Sequence, residues 1–201
     1  MGFWVTLSRH DAARVDALLD HPDGPSAGRE RLRSAWSAGL SPRSPGEGEP
    51  ALECLEENDD IRRNWDGLHV LLTGCRDHRH DDDEPPCGEA PARDAVRGGQ
   101  ALTGADSSAQ LQTPVLLMPD AVRAVRDFLR GLDAHRLLRE RADLVERAGV
   151  YSFHMTVGLP DGSSRRMSMI EDGSLAASLE GVRGFYARAA AAGNAVIKEI
   201  S

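Results

Sequence analysis

Ten consecutive residues, Trp65-Asp66-Gly67-Leu68-His69-Val70-Leu71-Leu72-Thr73-Gly74, restrict the fold of this chain more than any others. Ile61, Trp65, Leu68 and Leu72 are spaced four, three and four apart, which lines one face of an α-helix. His69 lies at one edge of that face, Leu71 at the other, and Val70 on the opposite side. A helix apolar on two sides belongs at the centre of a fold, because any surface position would expose one of its faces. It is expected to start at Asn58 or Asp59 and to stop at Gly74, which takes the left-handed conformation without a Cβ clash.

The rest of the chain supplies neighbours for this helix. Phe3 to Leu7 is a short β-compatible run, and Ser8, with Asp11 three residues on, predicts the cap of a helix bearing Ala12, Val15, Leu18 and Leu19. A helix from Ser26 to about Ala38 would turn Leu32 and Trp36 inward. Ala95-Val96 and Ala101-Leu102 flank Gly98-Gly99, the pattern of a short strand with a bulge or close backbone approach. Val115 to Met118 reads as a buried strand, and Pro119 suits the first turn of a helix lined by Val122, Val125, Leu129 and Leu132. Asp133 caps a helix holding Leu137, Leu138, Leu144 and Val145, which ends at Gly149. Phe153, Met155, Val157 and Leu159 alternate with polar or small residues, Pro160-Asp161-Gly162 turns the chain, and Met167 and Met169 alternate on the return, as in a β-hairpin. Ser174 predicts the cap of a last helix with Leu175, Leu179, Val182, Tyr186 and Ala190 inward, and Gly181 and Gly184 within it imply tight packing on another element. A terminal strand follows from Ala195 to Ile200.

Strands at both chain ends and in the middle, with about six unevenly placed helices, predict an α+β fold with a small mixed or mostly antiparallel sheet, not a doubly wound one. At 201 residues and 40% hydrophobic content the chain can bury one core, so a single domain over residues 1–201 is expected, with flexible loops near 41–50 and 76–94. A formal charge of -8 disfavours nucleic acid and anionic membranes as partners, since both select basic surfaces. Lys198 is the only lysine among 24 cationic residues, and the arginine and alanine bias reads as GC-rich coding sequence rather than selection for arginine chemistry. The first residues carry no basic leader with an apolar run, and no stretch approaches the roughly 20 apolar residues that span a bilayer, so a cytoplasmic protein is expected.

Three groups of residues invite a chemical reading. Trp65 and His69 lie one helical turn apart, so His69 can serve as an acid, base or ligand group beside an aromatic wall, with Asp66, Tyr151 and Tyr186 as candidate companions. The competing reading makes His69 a core histidine bonded to a backbone carbonyl beneath Trp65. An open cavity beside His69 would favour the first reading, and enclosure the second. Cys75, His78, His80 and Cys87 form Cys-x2-His-x-His-x6-Cys, ligand types suited to zinc or nickel, in a spacing unlike common zinc modules; a solvated loop with incidental affinity, and no bound metal, is the favoured reading. Glu56-Glu57 and Asp59-Asp60 can pair as acid and base, but carboxylates ahead of a helix also suit its dipole. Cys54 reads as a small apolar filler or a free thiol. The signatures of serine hydrolases, phosphate loops, dinucleotide sites and zinc proteases are absent.

In sequence order these pieces resemble the YfbM-like family, a bacterial domain of unknown function. Trp65 to Gly74 is similar to that family's Trp-x-x-Leu-His-x-Leu-Leu-Thr-Gly, and Gly98-Gly99, Pro119-Asp120-Ala121-Val122 and Ala148-Gly149-Val150-Tyr151 follow in the family's order. Phe185 to Ala190 and Gly193 to Val196 resemble its closing segment. The chain departs from the family at Met118, where a polar cap is usual, and in longer loops at 41–50 and 76–94 and around Pro160. The resemblance implies an α+β fold and brings no activity or cofactor. The residues themselves lead to a non-enzymatic protein-binding module, of an immunity or regulatory type, that captures a basic protein; the alternative is a small-molecule binder or enzyme using His69 and Trp65.

Overall fold

The computed structural model describes residues 5–40, 51–58, 61, 64–75, 87–102, 114–150, 153–158 and 162–200. Its main sheet combines β1 (Val5–His10), β2 (Glu56–Asn58), β3 (Gln100–Ala101), β4 (Val115–Leu117) and β7 (Ala195–Ile200) in the order β2-β1-β7-β4-β3. Every neighbouring pair is antiparallel. β5 (His154–Gly158) and β6 (Ser164–Ser168) make a separate hairpin that pairs Met155 with Met167. The helices among the described residues are α1 (Ala12–Leu19), α2 (Pro25–Leu40), α3 (Trp65–Thr73), α4 (Pro119–Gly131), α5 (Ala134–Arg147) and α6 (Ser174–Ala191). The architecture is α+β, as expected.

The C-terminal strand β7 lies in the middle of the sheet because Ala195, Val196 and Ile197 are apolar on both faces, and all three are fully buried. Val5, Leu7, Leu117 and Val196 join residues of α3, α4 and α6 in one core. Ala195, Ile197 and Leu116 point the other way, against Val15, Leu18, Leu32 and Trp36 of α1 and α2. Helices therefore cover both sides of the sheet. The burial expected of α3 is met: Trp65 to Leu72 are all buried, and Ile61, four residues before Trp65, is 0% exposed. Each fully enclosed Leu or Val contributes about 1.5–3 kcal/mol relative to its exposed state.

α3 ends as its sequence dictates. Gly74 adopts φ 75°, and its N–H donates to the Val70 carbonyl at 2.9 Å. Arg141, reaching across from α5, donates to the Leu71 and Leu72 carbonyls at 2.8 and 3.0 Å, placing a cation at the negative end of the helix. Gly67 permits close packing, since a Cβ there would lie 2.5 Å from the Met169 sulfur.

Several local expectations give way to longer-range pairing. Ser8 caps nothing; it lies in β1, and its hydroxyl donates to the Ile197 carbonyl at 3.2 Å. Asp11 caps α1 instead, accepting from the Arg14 N–H at 2.8 Å. Asn58 does not open a helix, because residues 56–58 pair with β1, so α3 begins at Trp65. The short strand near Gly98-Gly99 shrinks to Gln100–Ala101, with Ala95 held in a 3-10 turn over Arg93–Ala95; the close approach survives, as a Cβ on Gly99 would lie 2.9 Å from the Leu116 carbonyl oxygen. Ser174 is the first residue of α6, and Asp172 accepts its N–H at 2.8 Å. Gly184 does not mark tight packing: a Cβ there would meet only the Arg188 guanidinium, on the same helix, at 3.1 Å. Asp133 caps α5 and Pro119 opens α4, as the sequence predicts, and Gly193, at φ 66°, follows the end of α6. Phe3, the 41–50 loop, Asp59-Asp60, the 76–86 part of the second loop, Tyr151 and the hairpin tip at 159–161 lie outside the described residues.

Candidate functional site

The elements around the C-terminal half of α3 bring a set of polar side chains into the interior. Asp66 and His69 come from α3, Lys198 from the central strand β7, and Arg97 from the segment after the 3-10 turn. Asp66 is 2%, His69 0% and Lys198 1% exposed. Burial is the largest influence on His69 and pushes its pKa down to about 3; the nearby cations Arg97 and Lys198 act in the same direction, whereas Asp66 and a hydrogen bond with the Cys87 backbone oppose it. The imidazole is therefore neutral at physiological pH.

His69 is enclosed rather than set on an open surface. Its Nε2 faces the Cys87 sulfur at 3.8 Å. Trp65, one turn back and only 4% exposed, lies beneath the guanidinium of Arg97, 5.5 Å from the ring centre. The pairing of Trp65 with His69 is thus a feature of the interior.

The geometry after Gly74 explains how two cysteines reach this point. The left-handed turn folds the chain back along the last helical turn, where the Thr73 hydroxyl donates to the His69 carbonyl at 2.7 Å and accepts the Cys75 N–H at 3.2 Å. Cys75 Sγ lies 3.4 Å from the same hydroxyl. Gly88, at φ 95°, lets the returning chain press against Thr73, because a Cβ there would come within 2.7 Å of the Thr73 methyl. Cys75, Cys87 and His69 consequently place their donor atoms within 4.8 Å of one another. Burial first, then the neighbouring Cys75, pushes the Cys87 thiol up to about 12. His78 and His80 lie outside the described residues.

Tyr186 is fully buried, but its hydroxyl donates to the Asp94 and Ala95 carbonyls at 3.3 and 3.2 Å. Burial raises its pKa far above the usual phenol range. Lys198 serves the same segment from the other side, donating to the Asp94 carbonyl at 2.6 Å and to the Gly98 carbonyl. Burial lowers the Lys198 pKa to about 7, with Arg93 assisting and Asp94 opposing. Tyr186 and Lys198 therefore clamp the 93–98 backbone onto the sheet.

Glu56 is ion-paired: Arg188 and Arg9 hold it at 2.6 and 2.7 Å, and the Arg188 hydrogen bond keeps its carboxyl below the usual range. Cys54 is a half-buried free thiol whose pKa is raised, chiefly by burial.

The sequence reading missed the roles of Lys198 and Arg97 and the meeting of His69 with Cys75 and Cys87. A signal for Lys198 existed. It is the sole lysine, two residues after buried Val196, and so shares the inward face of its strand. No signal joined His69 to the cysteines, because five and seventeen residues separate it from them in the chain.

Among the described residues no helix is long and apolar enough to cross a membrane. Comparison with curated proteins gives no significant match. The fold is similar to the crystal structure of YfbM from Escherichia coli, a protein of unknown function, with a TM-score of 0.51 at 18% identity over 98% of this chain and 99% of that one. Residues 1–198 match the family model described as a domain of unknown function, DUF1877, and the chain belongs to that family.

Proposed function

We propose that the chain is a single-domain, cytoplasmic, non-enzymatic binding protein that captures a basic protein partner, as an immunity or regulatory protein does. The observation that carries this reading is the enclosure of the signature: His69 is 0% exposed and Asp66 2%. An acid or base acting on a diffusing substrate must come within hydrogen-bond reach of it, which these side chains do not offer. The exterior is left to do the work, and a chain of formal charge -8 attracts basic surfaces at long range and repels nucleic acid.

The test is capture of partners by the tagged chain from extracts of its source cells at low and high salt. The comparison is a variant of the acidic run Asp81-Asp82-Asp83-Glu84 of the sequence, with each Asp changed to Asn and Glu84 to Gln. A basic protein retained at low salt, and held less tightly and with less salt dependence by the variant, is the expected outcome. Equal capture by both forms removes the case for electrostatic recognition through this run. Opening of the core to a small ligand in contact with His69, seen by NMR, would turn the reading toward the small-molecule or enzymatic alternative.

A further inference from the structure

We propose that His69, Cys75 and Cys87 form a zinc site at the C-terminal end of α3. The proposal concerns the interior and does not depend on the partner-capture reading. One imidazole and two thiols are the donor types that zinc selects, and here they converge from three separated chain positions. With zinc–nitrogen and zinc–sulfur bonds of about 2.0 and 2.3 Å, tetrahedral angles place a nitrogen about 3.5 Å from a sulfur and two sulfurs about 3.8 Å apart. The His69 Nε2 to Cys87 Sγ separation of 3.8 Å is within a few tenths of that geometry. The donor atoms, all within 4.8 Å of one another, have roughly 1 Å to close to reach that geometry.

The surroundings suit such an ion. Each cysteine gives up its thiol proton on coordination, and the two resulting thiolates balance the divalent charge. The Cys75 sulfur has the Thr73 hydroxyl 3.4 Å away, an outer partner that orients this ligand. Both cysteines are half-buried whereas His69 is enclosed, so the ion enters from the cysteine side. Three protein ligands leave the fourth position to water or another donor. This set differs from the Cys-His-His-Cys pattern legible in the sequence, because His69 from the helix replaces the loop histidines.

The test uses the untagged, reduced, full-length chain stripped of metal. Zinc is titrated against a chromophoric chelator, and cobalt is substituted in parallel. One zinc per chain is expected, with a sulfur-to-cobalt charge-transfer band and the visible spectrum of a tetrahedral ion. Cys75→Ser and Cys87→Ser should each weaken zinc binding by about 100-fold or more, since loss of a direct ligand exceeds the 10- to 100-fold effect of outer partners. The double variant His78→Gln, His80→Gln and the variant Cys54→Ser should bind zinc like the parent. The cobalt spectrum of the parent reports sulfur ligation even if a cysteine variant folds poorly. Substoichiometric zinc, a cobalt complex without the sulfur band, or loss of binding in the His78/His80 variant overturns the proposal.

Discussion

Lys198 should make the stability of this protein depend on pH in a direction opposite to that of an exposed lysine pair. Its pKa falls from 10.5 to about 7 because burial in the central strand disfavours the ammonium. Between those values the unfolded chain binds a proton that the folded chain does not, so stability rises with pH across the window. Conversely, it is lost as pH falls from 10.5 to about 7, below which both states carry the proton. Integrating the two titrations gives a gain of about 2 kcal/mol between pH 7 and pH 9. The assay is urea unfolding of the parent and Lys198→Met at a series of pH values. Methionine has a similar length and removes the titration, at a fixed cost from the lost hydrogen bonds to Asp94 and Gly98. Cysteines with raised pKa push the other way at higher pH but are common to both proteins, so the difference isolates Lys198. The parent should gain about 2 kcal/mol on the variant from pH 7 to 9. A difference that stays flat over that range refutes the claim that Lys198 is held in a medium that rejects its charge.

Two glycines, each inside a helix, should respond to alanine with opposite signs in thermal unfolding. Gly67→Ala drives a methyl into the buried Met169 sulfur and should destabilise by about 1–3 kcal/mol. Gly184→Ala meets only a movable Arg188 end and should stabilise by up to about 1 kcal/mol through helix propensity. Arg141→Met removes both donors from the Leu71 and Leu72 carbonyls and should cost about 1–3 kcal/mol in chemical denaturation, with the deficit seen also as faster amide exchange at the end of α3.

Much of the fold was legible because its signals are local. The period of Trp65, Leu68 and Leu72, the left-handed Gly74, the opening Pro119 and the Asp133 cap act within a few residues, and the structure honours each. Where local signals failed, a distant strand had a stronger claim. Ser8 had the right spacing for a cap, but pairing of β1 with β7 took its backbone and the Ile197 carbonyl took its hydroxyl. Asn58 was drawn from a helix start into β2 for the same reason. The candidate site divides along this line as well. Trp65, Asp66 and His69 could be grouped by helical spacing alone, and their enclosure is visible only once α3 is seen covered on all sides. By itself the sequence determined which segments have an apolar face to hide and where each must stop. Only the tertiary structure decided that Lys198 would lie under the 93–98 turn and that His69 would meet Cys75 and Cys87. Side-chain periodicity reports direction within one element, whereas convergence depends on how separate elements are packed.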